Sequence, residues 1–414
     1  MTVGSTRAEP AGPLGASGRA PAPDLARGAM LLLIALANTP FYLYGRAHSA
    51  AGFHPVDGSV LDRVVQAVII TGVDMRVYPM FAFLFGYGMA VIHRRQRERG
   101  VPERAASRLL QRRNLWMLVF GFVHAALLWG GDVLGAYGLC GLLLVWLFVR
   151  RADRTLLVWA GVATGVLTLV AALSMVGGWA ALQFGQVPPA GAGMPASMTA
   201  SASETSVIAA VGDRLALWAV LTPAQGVLGL AVPAAVLLGM WSARRRVLER
   251  PQDHLRLLRV TAVAGIAVGW GAGLPHALAH TGVVGGLDGV LWMFSGLQMA
   301  TGVACGIGYV AVFGLIGHRL AGRAPGPVSS AVTAVGKRSL SCYVGQSVLC
   351  APVLAAWGLG LGASLGSAGM ALYAVGVWLV TLVFAVLLER RGAPGPAEVL
   401  LRRLTYRGAP VARR

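Results

Sequence analysis

The chain has 414 residues, of which 56% are hydrophobic and only 12% charged, and its mean hydropathy is +0.67. A soluble globular domain carries roughly twice that charged share, so a water-soluble fold is excluded for most of the length. The formal charge of +19 does not indicate a nucleic-acid binder, because the arginines stand in short clusters between apolar runs, which is a pattern of membrane topology.

Residues 1–23, rich in Pro, Gly and Ala, lack both the apolar core and the cleavage site of a signal peptide. They are expected to form a disordered cytoplasmic tail. A transmembrane helical domain over 24–390 and a basic cytoplasmic tail over 391–414 follow. Many apolar runs reach the roughly 17 to 25 residues that a helix needs to cross a bilayer. The first is expected at about 27–44, and the second at 64–92 with a bend at Pro79. The third and fourth, at 115–129 and 133–149, form a hairpin around Trp129, Gly130, Gly131 and Asp132. Others are expected at 156–176, 215–241 with Pro223 and Pro233, 260–275, 289–316, 339–357 and 368–388. The fold class is therefore all-α, a polytopic membrane helix bundle of about ten transmembrane helices.

Arginine clusters orient these helices, since positive loops are retained in the cytoplasm. Eight arginines lie between Arg94 and Arg113. Arg150, Arg151 and Arg154, Arg244 to Arg246, Arg319 and Arg323, and Arg390 and Arg391 follow on the same side. The alternate loops at 177–212, 276–288 and 358–366 carry no lysine or arginine; only the loop at 45–63, with Arg46 and Arg63, dissents mildly. Both termini are thus expected in the cytoplasm. Cys140, Cys305, Cys342 and Cys350 lie in apolar stretches without metal-like spacing and read as small core residues.

Polar residues inside such a scaffold are functional candidates, because an unpaired ionisable group at membrane depth is costly. Asp24 and Arg27, one helical turn apart, stand at the cytoplasmic mouth of the first helix and can pair, or act as an N-cap and a snorkelling arginine. Asn38 lies about three turns deeper. Asp74 and Arg76 precede the run FAFLFGYG at 81–88, whose Gly86 and Gly88 allow close helix approach. His124 lies one to two turns inside the membrane from Asp132. A buried imidazole near a carboxylate can be held in one tautomer and act as a base, or simply bond between helices. His276 and His280 share a helical face at i, i+4, but no third ligand is evident and no metal is expected. His48 and His54 lie in the first outer loop. Lys337 and Arg338 open the ninth helix, where the helix dipole also favours phosphate.

The stretches DLARGAMLLLIALAN (24–38), MRVYPMFAFLFGYGM (75–89), GFVHAALLWGGDVLGAYGL (121–139), GKRSLSCYVGQSVL (336–349) and GPAEVLLRRLTY (395–406) together resemble the YeiB-like family of bacterial multi-pass membrane proteins. That family is distantly similar to the transmembrane acyltransferases, whose first helix begins with Asp, an Arg three residues on, and His or Asn eleven beyond. Asp24, Arg27 and Asn38 keep that spacing, and His48 sits close to the place of a further histidine in the glucosamine acetyltransferase.

The resemblance implies an acyl-CoA-dependent acyltransferase in the bacterial plasma membrane, acting on a hydroxyl or amine at the outer face. Arg27, Lys337 and Arg338 would hold the donor, acyl-CoA, from the cytoplasm. His124, oriented by Asp132, would deprotonate the acceptor, with Asn38, Arg76 and Gln346 lining the path. Partners would be the lipid bilayer and a small-molecule, glycan or lipid acceptor, with self-association left open and no nucleic acid. The alternatives are a transporter or exporter, for which bent helices would be suited although no internal repeat is visible, and a non-catalytic envelope protein.

Overall fold

A computed structural model describes residues 21–48, 53–185 and 194–407. The expected tail over 1–23 lies outside them except for its last three residues, which already belong to the first helix. α1 (Pro21–Asn38) opens on a proline, where a missing N–H costs nothing, and passes into a 3-10 turn at Thr39–Tyr42. α2 (Val60–Gly72) starts in a capping box in which Ser59 Oγ accepts from Asp62 N and Asp62 Oδ2 accepts from Ser59 N. α3 (Val77–Glu98), α4 (Glu103–Leu127), α5 (Val133–Phe148) and α6 (Asp153–Phe184) follow. α7 (Met194–Ser203) is a short helix of the outer loop.

α8 (Val207–Pro223) leads through a π turn at Ala224–Leu228 into α9 (Ala231–Arg244). α10 (Leu255–His280), α11 (Met293–Leu320), α12 (Pro327–Lys337), α13 (Ser339–Leu354), α14 (Ser367–Arg390) and α15 (Pro396–Thr405) complete the chain. Seven helical segments among the described residues are long and apolar enough to cross a membrane, and α5, α9 and α13 are shorter apolar helices. With α2–α3 and α8–α9 each read as one interrupted crossing, and with α4 joining α3 to α5, the helices among the described residues are compatible with the ten crossings expected from the sequence. The protein is an all-α polytopic bundle.

α1 and α3 are buried on most sides, whereas α6, α10 and α14 expose rows of large apolar side chains. Leu169, Leu173, Val260, Val263, Leu372 and Val380 are among them. Rows of this kind suit lipid and not water.

Two differences from the sequence expectation concern the breaks. The second crossing does not bend at Pro79. It breaks at 73–76, where Met75 adopts φ 58°, and Pro79 sits in the first turn of α3, where no intrahelical donor is lost. The sixth crossing likewise breaks at the π turn and at Leu230, also at φ 58°, leaving Pro233 in the first turn of α9. Both breaks thus precede a helix whose third residue is proline.

The parallel extends further. α2–α3 followed by the hairpin α4–α5, and α8–α9 followed by the hairpin α10–α11, are two units with the same order of elements. Their contacts are reciprocal: α2 packs on α10 and α8 on α4, while the break at 73–76 meets α11 and the π turn meets α5. The units join where α3 crosses α9. A Cβ on Gly86 would collide with the Val236 carbonyl, and one on Gly239 with the Phe83 carbonyl. The Gly86→Leu variant is therefore expected to lose about 1–3 kcal/mol of stability through overpacking, read as a lower thermal midpoint in detergent. An unchanged midpoint would contradict this crossing.

Candidate functional site

Asp132 is the N-cap of α5. Its Oδ2 accepts from Gly135 N at 2.7 Å, which satisfies one of the free donors at the helix start. The short hairpin leaves its other oxygen facing the last turn of α4, where Oδ1 accepts from His124 Nδ1 at 2.8 Å. This bond fixes the tautomer, so His124 Nε2 is an acceptor, and it receives the Ser347 hydroxyl of α13 at 2.8 Å. His124 and Asp132 are 4% and 1% exposed, whereas Ser347 is only half-buried. Gly121 and Gly135 let α4 and α5 approach closely enough for the pair, since a Cβ on Gly121 would strike Gly135 N and Asp132 Oδ2.

Below the pair lies Tyr343, one turn from Ser347 on the same face of α13. Its ring centroid is 5.1 Å from that of His124, and its hydroxyl accepts from Val133 N at 3.4 Å. Tyr343 and Leu134 form the deep end of a cavity of about 290 Å³ whose other end is the cytoplasmic mouth, with Asp24, Arg27, Arg95, Arg113, Glu249, Lys337 and Glu398 in its walls. The middle is apolar, lined by Phe81, Leu84, Phe85 and Met117.

The carboxylates of the mouth are already engaged. Asp24 pairs with Arg27 at 3.0 Å, Glu249 with Arg94 at 2.5 Å, and Glu398 accepts from Leu340 N and Ser341 N at 2.8 and 3.2 Å. Arg113 lies against the Phe85 ring at 5.4 Å, with its Nη1 buried and without a hydrogen-bond partner. An unsatisfied guanidinium donor in a cavity wall has the chemistry to accept an anion.

The other residues singled out from sequence are not gathered in one place. Arg27 and Lys337 line the cavity; Lys337 also pairs with Glu389 at 2.7 Å. Arg338 does not face it: the guanidinium binds Glu389 at 2.7 Å and the Ala393 and Ala334 carbonyls, so its charge and donors serve to hold the α14–α15 connection. The start of α13 is likewise closed to phosphate, because the Glu398 carboxylate occupies its free N–H groups. Gln346 is buried and donates to the Leu31 carbonyl at 3.1 Å, tying α13 to α1. Asn38 is half-buried at the outer end of α1 and makes no capping bond for the turn that follows.

Arg76 belongs to a second polar cluster, between α2, α10 and α11. It donates to Gln298, the Asp74 carbonyl and, at 2.7 Å, the Gly269 carbonyl. Gln298 in turn donates to His276 at 2.8 Å, and His54 binds Asp74 at 2.8 Å. His280 meets the Pro55 carbonyl at 3.3 Å. His276 stands near the outer end of α10 much as His124 stands in α4. No hydrogen bond among the described residues joins this cluster to His124. His48 bridges to Pro55 in the outer loop and donates to the Arg46 carbonyl at 3.0 Å; burial lowers its pKa from the ordinary histidine value. Among the described residues, no group of three or more His, Cys, Asp or Glu side chains is placed to hold a metal ion.

Comparison with known proteins places this architecture. Residues 242–408 match a family described as "Protein of unknown function (DUF418)". Uncharacterized protein YeiB of Escherichia coli (strain K12) is 27% identical over 416 residues, spanning 94% of this chain and 97% of that protein. The chain is similar to YeiB along nearly its whole length. Uncharacterized protein YxaH of Bacillus subtilis (strain 168) is 28% identical over 350 residues, 81% of this chain and 80% of its own. An uncharacterized 39.9 kDa protein of Bacillus acidopullulyticus is 37% identical over 122 residues, 30% of this chain and 32% of its own. The family match to 242–408 includes Ser347 and Glu398, whereas His124 and Asp132 precede it.

Proposed function

We propose that this YeiB-like protein is a membrane acyltransferase that takes an acyl group from a cytoplasmic acyl-CoA and passes it to a hydroxyl or amine acceptor towards the outer face. The observation that carries the reading is the position of the cavity. It runs from a cationic cytoplasmic mouth past apolar walls to Tyr343 and Leu134, and the Tyr343 ring packs in turn on His124 of the His124–Asp132 pair. Arg113, Arg27 and Lys337 at the mouth suit the phosphates of the donor, the apolar walls suit a pantetheine arm and acyl chain, and the imidazole stands just beyond the far end, behind Tyr343, as the group to take a proton. The relatives are bacterial, which favours the plasma membrane as the location.

A cheap test is binding of acetyl-CoA and palmitoyl-CoA to the detergent-purified protein. Binding is expected for the wild type and weakened about tenfold in Arg113→Ala, the order of about 1.4 kcal/mol for one charge-assisted contact. Failure of the wild type to bind either donor would overturn the reading.

Transport is the second reading, and the doubled unit with two broken helices favours it, since such breaks commonly make solute sites. Uptake or counterflow of a solute in proteoliposomes without any acyl donor would support it. Donor consumption that depends on an acceptor would count against it.

A further inference from the structure

Polar side chains in the middle of a helix usually return their hydroxyl to the carbonyl one turn back. Thr164, Thr168 and Thr301 all do so in this protein, at 2.7 to 2.9 Å. Ser347 does not. Its hydroxyl is directed across to α4, where His124 Nε2 accepts it at 2.8 Å, and the opposite ring nitrogen is held by Asp132 at 2.8 Å. Asp132, His124 and Ser347 thus stand in the order carboxylate, imidazole, hydroxyl, with the imidazole tautomer fixed so that it receives the hydroxyl proton. Ser347 is also the least enclosed of the three, one turn above the cavity-lining Tyr343.

We infer that Ser347 is the nucleophile of this site and carries the acyl group as an oxygen ester between donor and acceptor. The inference rests on the acyl-CoA reading for the identity of the donor, not for the existence of the nucleophile. Ser347 Oγ attacks the thioester carbonyl while its proton passes to His124 Nε2. The C–S bond breaks, and the departing thiolate takes that proton to leave as the free thiol. In the second half the acceptor hydroxyl or amine gives its proton to His124 Nε2 and attacks the Ser347 ester. The ester C–O bond breaks and the proton returns to Ser347 Oγ. A serine that attacks from mid-helix, between a cytoplasmic cavity and the outer end of the bundle, would let donor and acceptor be bound in turn from opposite sides.

The test uses the full-length protein in detergent, treated separately with a fluorophosphonate, with radiolabelled acetyl-CoA and with radiolabelled palmitoyl-CoA, and the adducts are located by peptide mass. The expected result is a phosphonyl and an acyl adduct on Ser347, absent in Ser347→Ala and reduced about tenfold or more in His124→Ala. In Ser347→Cys the acyl adduct should become a thioester cleaved by neutral hydroxylamine, whereas the wild-type ester resists it; a serine that only ties α4 to α13 moves none of these readouts. Fluorophosphonate labelling of Ser347 without any acyl adduct would uphold the nucleophile and overturn the acyl-CoA donor. Thioester hydrolysis at the wild-type rate in Ser347→Ala, with no adduct at that position, would overturn the nucleophile and leave the acyltransferase standing. Absence of labelling by all three reagents would also overturn it.

Discussion

His124→Ala is expected to lower acceptor-dependent acyl transfer about 100- to 10,000-fold, the range that a positioned base contributes, while the protein stays folded and inserted. Among the described residues, the imidazole is the only side chain hydrogen-bonded to both Asp132 and Ser347, so removing it severs the route by which a hydroxyl proton leaves. The fold has other supports at this point. Asp132 retains its cap on Gly135 N, Tyr343 retains Val133 N, and Trp129 remains packed on Phe41 and Tyr42. The Ser347 hydroxyl can turn back to its own helix. A stability loss of about 1–3 kcal/mol for the vacated partners is expected, visible as a lower thermal midpoint without aggregation on gel filtration. Full activity in the alanine variant would remove His124 from the mechanism.

Asp132→Asn should separate the two duties of this residue. Asparagine caps a helix about as well as aspartate, so the bond to Gly135 N and the α5 start are retained. The bond to His124 is not equivalent: an amide that donates to Nδ1 forces the proton onto Nε2, which then faces Ser347 as a donor and can no longer accept. Turnover is expected to fall about 1,000-fold or more, as wrong-tautomer variants of such arrangements do, with little change in melting. Loss of folding in Asp132→Asn would mean that capping is the residue's main contribution, and unchanged turnover would mean that it does not orient the imidazole.

How much of this was legible in the sequence depended on distance along the chain. The helical, polytopic character of the bundle could be read because long apolar runs recur along the chain, and that signal is local. The pairing of His124 with Asp132 could be anticipated because eight residues and a Gly-Gly turn force the end of α4 against the start of α5. Ser347 lies 223 residues from His124, and nothing in its own helix distinguishes it from the serines nearby. Its role depends on which helices become neighbours, and hydropathy does not encode that.

Arg338 and Glu398 show the opposite error. Both stand in stretches that carry the family resemblance, and a cation at a helix start suggested a phosphate site. The chain itself supplies the anion, with Glu398 on the α13 N–H groups and Glu389 on Arg338. Arg113 was hidden among eight arginines that set topology, and only the fold distinguishes it by leaving its Nη1 unpartnered against Phe85. The doubled unit escaped notice because its halves share geometry more than residues. A proline at the third position after each break and one glycine at the α3–α9 crossing are the parts that persist.

The measurement that bears most directly on the central claim is slow hydrolysis of acyl-CoA by the detergent-purified protein without acceptor, with water taking the acceptor's place. The account predicts thioester cleavage by the wild type, weaker donor binding in Arg113→Ala, and binding without cleavage in His124→Ala. Cleavage by His124→Ala at the wild-type rate, or no cleavage by any form of the protein, would contradict it.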